Sequence, residues 1–330
     1  MLTWPRPGPQ AATMLALYDF TLANKLFGQS FISSAPSQKG QPPAFSAFLS
    51  YTSYLFQHAY RTSRASLYAY VATFILLILV EDSASAKLLC DTSAPVRLCR
   101  QRPPLLPTPS KPDRPYVVAI VDILIDGINH NLRKRLDVTL YDQSILILSR
   151  ILSYLGKSRT KLAYHWPELW RSLLSFVRFL TTYADDLKSL PGTSDLVRRL
   201  VDLLALALTT GEAFLPDSAS YDDLFYKLVE SGEALGSLKT ALGLGKETAI
   251  DTLVGVSKHY RELIDEHHKG KSANLSPREV SKIIKMGYET LAFEARQGLD
   301  VIEPFKESDW KAVLKKVARV AVVDATALVG

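Results

Sequence analysis

A glycine-rich turn followed by a lysine is the first residue pattern in this chain that could do chemistry, because such turns can bind nucleotide phosphates. Gly243, Gly245 and Lys246 form part of this pattern. A phosphate-binding loop also needs a glycine five positions before the second glycine, and a serine or threonine after the lysine. Thr240 and Glu247 occupy these two positions. The sequence therefore does not predict a nucleotide site.

Histidines and cysteines are the residues that could bind a metal or act as nucleophiles. His259, His267 and His268 are close in sequence, but a helical metal pair needs histidines at positions i and i+4. Cys90 and Cys99 are too few for a structural zinc site, and no histidine lies near them in sequence to activate a thiol. The sequence predicts no catalytic residue, no metal ligand and no cofactor, and we expect the chain not to be an enzyme.

Basic residues are concentrated in one part of the chain. Residues 97–161 contain twelve Lys or Arg and five Asp or Glu, a net charge of +7, whereas the whole chain carries +6. Such a zone suits an acidic protein, an anionic membrane or nucleic acid, and it is otherwise an ordinary solvated face. We expect peripheral contact with an anionic membrane and no nucleic-acid partner. The candidate residues are Arg97, Arg100, Arg102, Lys111, Arg114, Arg133, Lys134 and Arg135.

These bases fall into two groups with different surroundings. The segment from Pro95 to Pro115 holds seven prolines and five of the bases, which predicts a long loop whose charges stay solvated. The triplet 133–135 closes a predicted helix, where cations also stabilise the helix dipole. That local stabilising role is the alternative interpretation of the triplet.

The stretch from Ala65 to Val80 has no charged residue and resembles a membrane span. Its 16 residues would form a helix of about 24 Å, whereas a bilayer core is about 30 Å thick. A helix buried on all sides within the protein is the favoured interpretation. The alternative is an integral membrane protein anchored through residues 65–80.

The elements that must position these residues are helices. Apolar residues recur at helical spacing at Trp166, Leu169, Trp170, Leu173, Val177 and Leu180, and no convincing alternating strand pattern occurs. The pattern predicts an all-α fold of stacked helix pairs, an α-solenoid. Helices are predicted at 11–27, 43–59, 65–80, 115–133, 138–155, 166–185, 194–210, 220–243, 246–268, 276–298 and 308–325.

Three motifs in the second half of the chain are distinctive. They are a Trp-x-Glu-Leu-Trp helix, a Phe-Leu-Pro loop and a Ser-Tyr-Asp-Asp-Leu helix start. Their characteristic residues are Trp166, Glu168, Trp170, Phe214, Leu215, Pro216, Tyr221 and Asp222. The sequence resembles the carboxy-terminal domain of the armadillo-like helical domain-containing protein 3 family, and the likeness covers about residues 43–300. The motif residues also have a structural interpretation, since helices bury their aromatic stripe.

The resemblance implies a fold, a function and a location. It implies an armadillo/HEAT-like scaffold without catalytic residues, peripheral at the cytoplasmic side of the Golgi membrane. There it would support Golgi organisation, with a phosphatidylinositol 4-kinase as protein partner. The expected organisation is N-terminal helices at 1–94 that end a longer armadillo-like array, the basic loop at 95–114, and the C-terminal helical domain at 115–330.

Overall fold

The structure is a computed structural model that describes residues 7–36, 38–99, 113–132, 136–244, 249–268, 277–287 and 298–329. Contacts group the chain into two compact units, Met1–Ile151 with Glu303–Gly330, and Leu152–Ile302. Most of the described residues are helical. The strands among them are a single antiparallel pair of three residues each, so the prediction of an all-α fold is confirmed.

The first unit is built from helices at both ends of the chain and a short strand pair. Its elements are α1 (Thr13–Ala23), α2 (Lys25–Ser33), α3 (Ala44–His58), α4 (Ser63–Glu81), α5 (Ser83–Asp91), β1 (Ser93–Pro95), β2 (Asp113–Pro115), α6 (Tyr116–Asn131), the first part of α7 (Val138–Ser158) and α15 (Lys311–Val329). Two 3-10 turns, Pro9–Ala12 and Glu307–Trp310, precede α1 and α15.

Within its described residues, the second unit contains the rest of α7 and seven further helices. These are α8 (Trp166–Thr182), α9 (Ala184–Leu187), α10 (Thr193–Phe214), α11 (Ser218–Glu230), α12 (Gly232–Ala241), α13 (Ala249–His268) and α14 (Pro277–Gly287). Helix α8 packs against α10, α11 and α12, while α13 packs against α10, α11, α12 and α14. The predicted apolar stripe of α8 is buried at all six positions, so the prediction of an amphipathic helix here is confirmed.

The first unit is organised around α4. Nine of the ten residues at 71–80 are buried, because α1, α3, α5 and α15 pack around this apolar helix. Thr62 caps its start by accepting a hydrogen bond from the Ala65 N–H at 3.1 Å. At its end, Glu81 lies 3.0 Å from the Arg150 guanidinium. The helix is therefore a core element held by polar contacts at both ends.

The strand pair joins the two sides of the proline-rich segment. Ala94 lies opposite Arg114, and α6 then packs against α3, with Asn131 donating to the Phe56 carbonyl oxygen at 3.2 Å. Residues on both sides of 95–114 therefore belong to the same compact unit. The boundary between the two units falls within α7, whereas the sequence pattern divided the chain at 95–114.

Two predicted helices are interrupted in the structure. The predicted helix 11–27 is broken at Asn24, whose extended backbone ends α1 and whose side chain accepts from the Leu26 N–H at 2.9 Å. The predicted helix 220–243 starts earlier, after Asp217, and breaks at Ser231. The side chains of Asn24 and Asp217 accept hydrogen bonds from backbone N–H groups at the starts of α2 and α11, whereas the Ser231 side chain makes no such cap.

Candidate interaction surface

The segment that follows β1 is held along α3 by serine side chains. The Arg97 N–H donates to Ser50 Oγ at 3.2 Å, and the Cys99 N–H donates to Ser53 Oγ at 2.9 Å. Both hydrogen bonds use backbone donors, so they fix the chain and leave the Arg97 side chain exposed to solvent. Arg97 is thus a solvated charge, as the sequence predicted.

A groove of about 1210 Å³ lies next to this segment. Most of its lining is apolar, and the lining residues include Pro36, Pro42, Pro43, Ala47, Pro95 and Val96. Arg97 also lines it. The groove thus combines an apolar surface with two exposed charged residues, Arg97 and Asp113.

Arg114 differs from the prediction. The predicted loop placed its charge in solvent, but the residue is 8% exposed and its guanidinium donates to the carboxylate of Asp122, which is fully buried. Arg114 belongs to β2, and Asp122 lies in the second turn of α6. The strand pair therefore places the Arg114 guanidinium next to α6. The prediction of a solvated charge is wrong for Arg114, which instead forms an internal ion pair.

The other candidate bases lie outside the described residues. They are Arg100, Arg102, Lys111, Arg133, Lys134 and Arg135. A common basic patch formed by them with Arg97 stays a prediction.

The motif residues of the second unit form an aromatic core. The rings of Trp166 and Trp170 are stacked with centroids 5.6 Å apart, and Trp166 also packs against Phe214 at 5.1 Å. Trp166 Nε1 donates to the Leu162 carbonyl oxygen at 3.0 Å, and the Leu162 N–H donates to the Phe214 carbonyl oxygen at 3.1 Å. The start of α8 is thereby fastened to the end of α10. Both tryptophans are buried, as their place on the apolar stripe predicted.

The third motif packs on the same helix end. Tyr221 donates from its hydroxyl group to the Leu208 carbonyl oxygen at 2.7 Å, and burial raises its pKa to about 12. A Cβ atom at Gly211 would lie 2.9 Å from the Tyr221 ring, so the glycine permits this close approach. Asp222, next in sequence, is buried. The tyrosine therefore joins α11 to α10.

The remaining motif residues are distributed between core and surface. Leu215 is buried, whereas Pro216 is exposed. Glu168 forms an ion pair with Arg171 on the solvent side of α8. Of the motif residues, Pro216 and the Glu168–Arg171 ion pair therefore lie at the surface.

Helix α4 is long and apolar enough to cross a membrane by length and composition. In the structure its polar side chains have partners within the first unit. Tyr68 donates to Asp324 Oδ2 at 2.6 Å, and Tyr70 donates to Asp137 Oδ2 at 2.7 Å. Arg64, in the first turn, lies 2.9 Å from the same Asp324 carboxylate. Polar side chains of a core helix need such hydrogen-bond and ion-pair partners inside the protein.

The residues considered for chemistry are dispersed. His259 lies against Tyr260, and His267 is exposed with its Nδ1 2.8 Å from the Leu263 carbonyl oxygen. Burial raises the pKa of the Cys90 thiol to about 11, which disfavours the reactive thiolate. Within the described ranges, no three His, Cys, Asp or Glu residues are arranged to hold a metal ion. Gly245 and Lys246 lie outside the described residues.

The packed helices of the described residues define the class of the protein as all-α. The family model described as "Armadillo-like helical domain-containing protein 3, C-terminal" matches residues 114–327. The chain therefore belongs to the armadillo-like helical domain-containing protein 3 family, as the resemblance of the three motifs had predicted.

Curated relatives agree with this membership. A UPF0588 membrane protein of Schizosaccharomyces pombe is 28% identical over 322 residues, which is 95% of this chain and 51% of that protein. Armadillo-like helical domain-containing protein 3 of Danio rerio is 26% identical over 284 residues, or 80% of this chain and 41% of the relative. The Homo sapiens protein of the same name is 26% identical over 261 residues, which is 73% of this chain and 38% of that protein. The chain spans about half of these relatives or less. No solved structure matches.

Proposed function

We propose that the chain is a non-enzymatic scaffold or adaptor at the cytoplasmic side of the Golgi membrane. In this proposal it supports Golgi organisation and helps to recruit a phosphatidylinositol 4-kinase. The observation that carries the proposal is the family match over residues 114–327, in a chain whose described part is built of packed helices. Stacked helices present side chains along an extended, rigid surface on which partners dock without a chemical step. The Golgi and the kinase enter through the family resemblance.

In this proposal the attachment to the membrane is peripheral. The name of the Schizosaccharomyces pombe relative describes a membrane protein, which is compatible with peripheral and with integral attachment. The contacts of α4 support peripheral attachment, because insertion of this helix into lipid would break the hydrogen bonds of Tyr68 and Tyr70 to carboxylates. Unpaired polar groups are costly in the hydrocarbon region. The alternative function is that of an integral membrane protein anchored through residues 65–80.

Alkaline carbonate separates the two modes of attachment. We expect a tagged chain to coincide with a Golgi marker in cells and to leave the membrane pellet on carbonate washing, because no helix is inserted in lipid. A resident membrane-spanning Golgi protein in the same pellet serves as control. The phosphatidylinositol 4-kinase is expected to co-precipitate with the chain from a separate lysate kept at neutral pH. Retention of the chain with the spanning control would favour the integral alternative, and absence of the kinase would remove the adaptor role.

The basic segment is proposed to assist recruitment to anionic lipid. We expect Gln substitution at Arg97, Arg100, Arg102 and Lys111 together to weaken co-sedimentation with vesicles that contain phosphatidylinositol 4-phosphate. Each base near an anionic surface contributes about 1 kcal/mol, and salt screens it beyond about 8 Å. Arg114 stays unchanged in this variant because its charge is used inside the protein.

The matched control removes four exposed cations from the second unit, Arg171, Lys188, Arg198 and Lys258, and so changes the net charge equally. Equal binding by the loop variant and the unaltered chain would refute a role for the segment. Binding that is unchanged at about 0.5 M salt would also refute this role, because screening at that ionic strength should abolish a purely electrostatic contact.

A further inference from the structure

The exposed face of α15 carries a row of bases. Lys311, Lys315, Lys316 and Arg319 are all exposed to solvent, and no ion pair with another described residue engages them. Their spacing of four, one and three residues places them on one side of a helix, over its first two to three turns. The inner side of the same helix is buried through Val317 and Ala321.

The single acidic residue of α15 is turned away from these bases. Asp324 is 5% exposed, accepts a hydrogen bond from the Tyr68 hydroxyl group at 2.6 Å and pairs with Arg64 at 2.9 Å. Its negative charge is thus used to fix α15 on α4. The outer face of the helix keeps four positive charges and no negative one.

Exposed apolar side chains continue the same face after the bases. Val322 is 65% exposed and Val323 is 68% exposed, within one turn of Arg319. Bases and exposed apolar residues on one helix face fit a partner that offers both negative charge and an apolar layer.

We propose that the exposed face of α15 docks on the surface of an anionic phospholipid membrane. The helix would lie in the plane of the interface over about 28 Å, with its bases among the headgroups and Val322 and Val323 at the boundary with the acyl chains. Three of the four bases are lysines, which act as point charges suited to a diffuse anionic surface. Arginine, with its planar fork, is the residue favoured for defined carboxylate partners. This chemistry favours lipid over an acidic protein.

The proposal rests on the peripheral attachment proposed above and deepens it, because it names a second surface that is independent of the proline-rich segment. Both surfaces belong to the first compact unit. Neither the Golgi location nor the kinase is needed for α15 to bind lipid.

The test uses vesicles of phosphatidylcholine, with and without phosphatidylserine, and the full chain. Lys311→Gln, Lys315→Gln, Lys316→Gln and Arg319→Gln are combined in one variant, with the four-cation variant of the second unit as the equal-charge control. A base near an anionic surface contributes about fivefold in affinity, so we expect the α15 variant to bind phosphatidylserine vesicles at least about tenfold more weakly. The control variant should bind like the unaltered chain.

A second measurement reports on the apolar part of the face. Val322→Cys, in a chain with Cys90→Ala and Cys99→Ala, is labelled with a polarity-sensitive fluorophore. Phosphatidylserine vesicles should shift its emission to the blue, whereas the same label at Lys188→Cys, an exposed position of the second unit, should stay unchanged. A response of both labels, or of neither, would overturn the inference.

The outcomes separate this inference from the proposed function. Equal weakening of the α15 and control variants, full binding by the α15 variant, or no vesicle binding by the unaltered chain overturns the α15 surface. Capture of an acidic protein by α15 without vesicle binding also overturns it. In each case carbonate release and kinase co-precipitation still decide the adaptor role by themselves.

Discussion

Arg114→Gln is expected to lower the free energy of unfolding by ~3–5 kcal/mol, the cost of removing one partner of a buried ion pair. The guanidinium lies against the Asp122 carboxylate, which is fully buried in α6. Glutamine keeps most of the side-chain length but leaves the buried carboxylate without this countercharge. Chemical denaturation followed by circular dichroism measures the loss.

Two comparisons assign this loss to the ion pair. Arg97→Gln removes a base from an exposed position of the same segment and should change stability by less than about 0.5 kcal/mol. Replacement of both partners, Arg114→Met with Asp122→Leu, should recover much of the loss, since apolar pairs of similar volume often substitute for buried ion pairs. A loss below ~1 kcal/mol for Arg114→Gln would show that Asp122 is adequately stabilised without the guanidinium.

The helical fold could be predicted because it rests on local periodicity. The stripe from Trp166 to Leu180 is visible in the sequence and is buried in the structure. Helix breaks were harder to predict, because a break such as that at Asn24 depends on one side chain competing with the helix for the backbone N–H of Leu26. The side chain of Asp217 caps α11 in the same way by accepting from the Ser220 N–H, so α11 begins before the predicted start at 220.

Whether an individual charged side chain is exposed or buried was harder to predict than the fold. Composition correctly indicated an exposed Arg97, but the same composition failed for Arg114, because its burial depends on a strand pair and on a carboxylate in a mostly apolar helix. The bases of α15 had a detectable signal in their helical spacing. The higher density of charge in residues 97–161 pointed to that segment instead, and its role at a membrane stays a prediction.

The apolar segment 65–80 shows what sequence cannot decide by itself. A buried core helix and a short membrane span have the same composition, and α4 satisfies the length and hydropathy of a span. The distinction lies in residues distant in sequence, since Asp137 and Asp324 supply the acceptors for the tyrosines of α4. Nothing within the segment reveals these acceptors.

Trp170→Ala is expected to destabilise the protein by ~3–5 kcal/mol, the range for truncating a buried aromatic side chain. Trp170 has no exposed surface and stacks on Trp166, which in turn holds Phe214 at the end of α10. Alanine would leave a cavity between α8 and its neighbours that the rigid helices fill only in part. Chemical denaturation again gives the free energy.

Conservative changes show how much of this loss belongs to the stacked pair. Trp170→Phe keeps an aromatic ring and should cost less than alanine, and a double-mutant cycle with Trp166→Phe should give a coupling of about 0.5–1.5 kcal/mol for the stack. Arg171→Ala, the exposed neighbour on α8, should stay within about 0.5 kcal/mol of the unaltered chain. A loss under ~1 kcal/mol for Trp170→Ala, together with lost kinase co-precipitation, would move this tryptophan from the core to an interface. The aromatic motif would then mark a binding surface. Substituting a residue that only stabilises the fold cannot abolish partner binding while leaving stability unchanged.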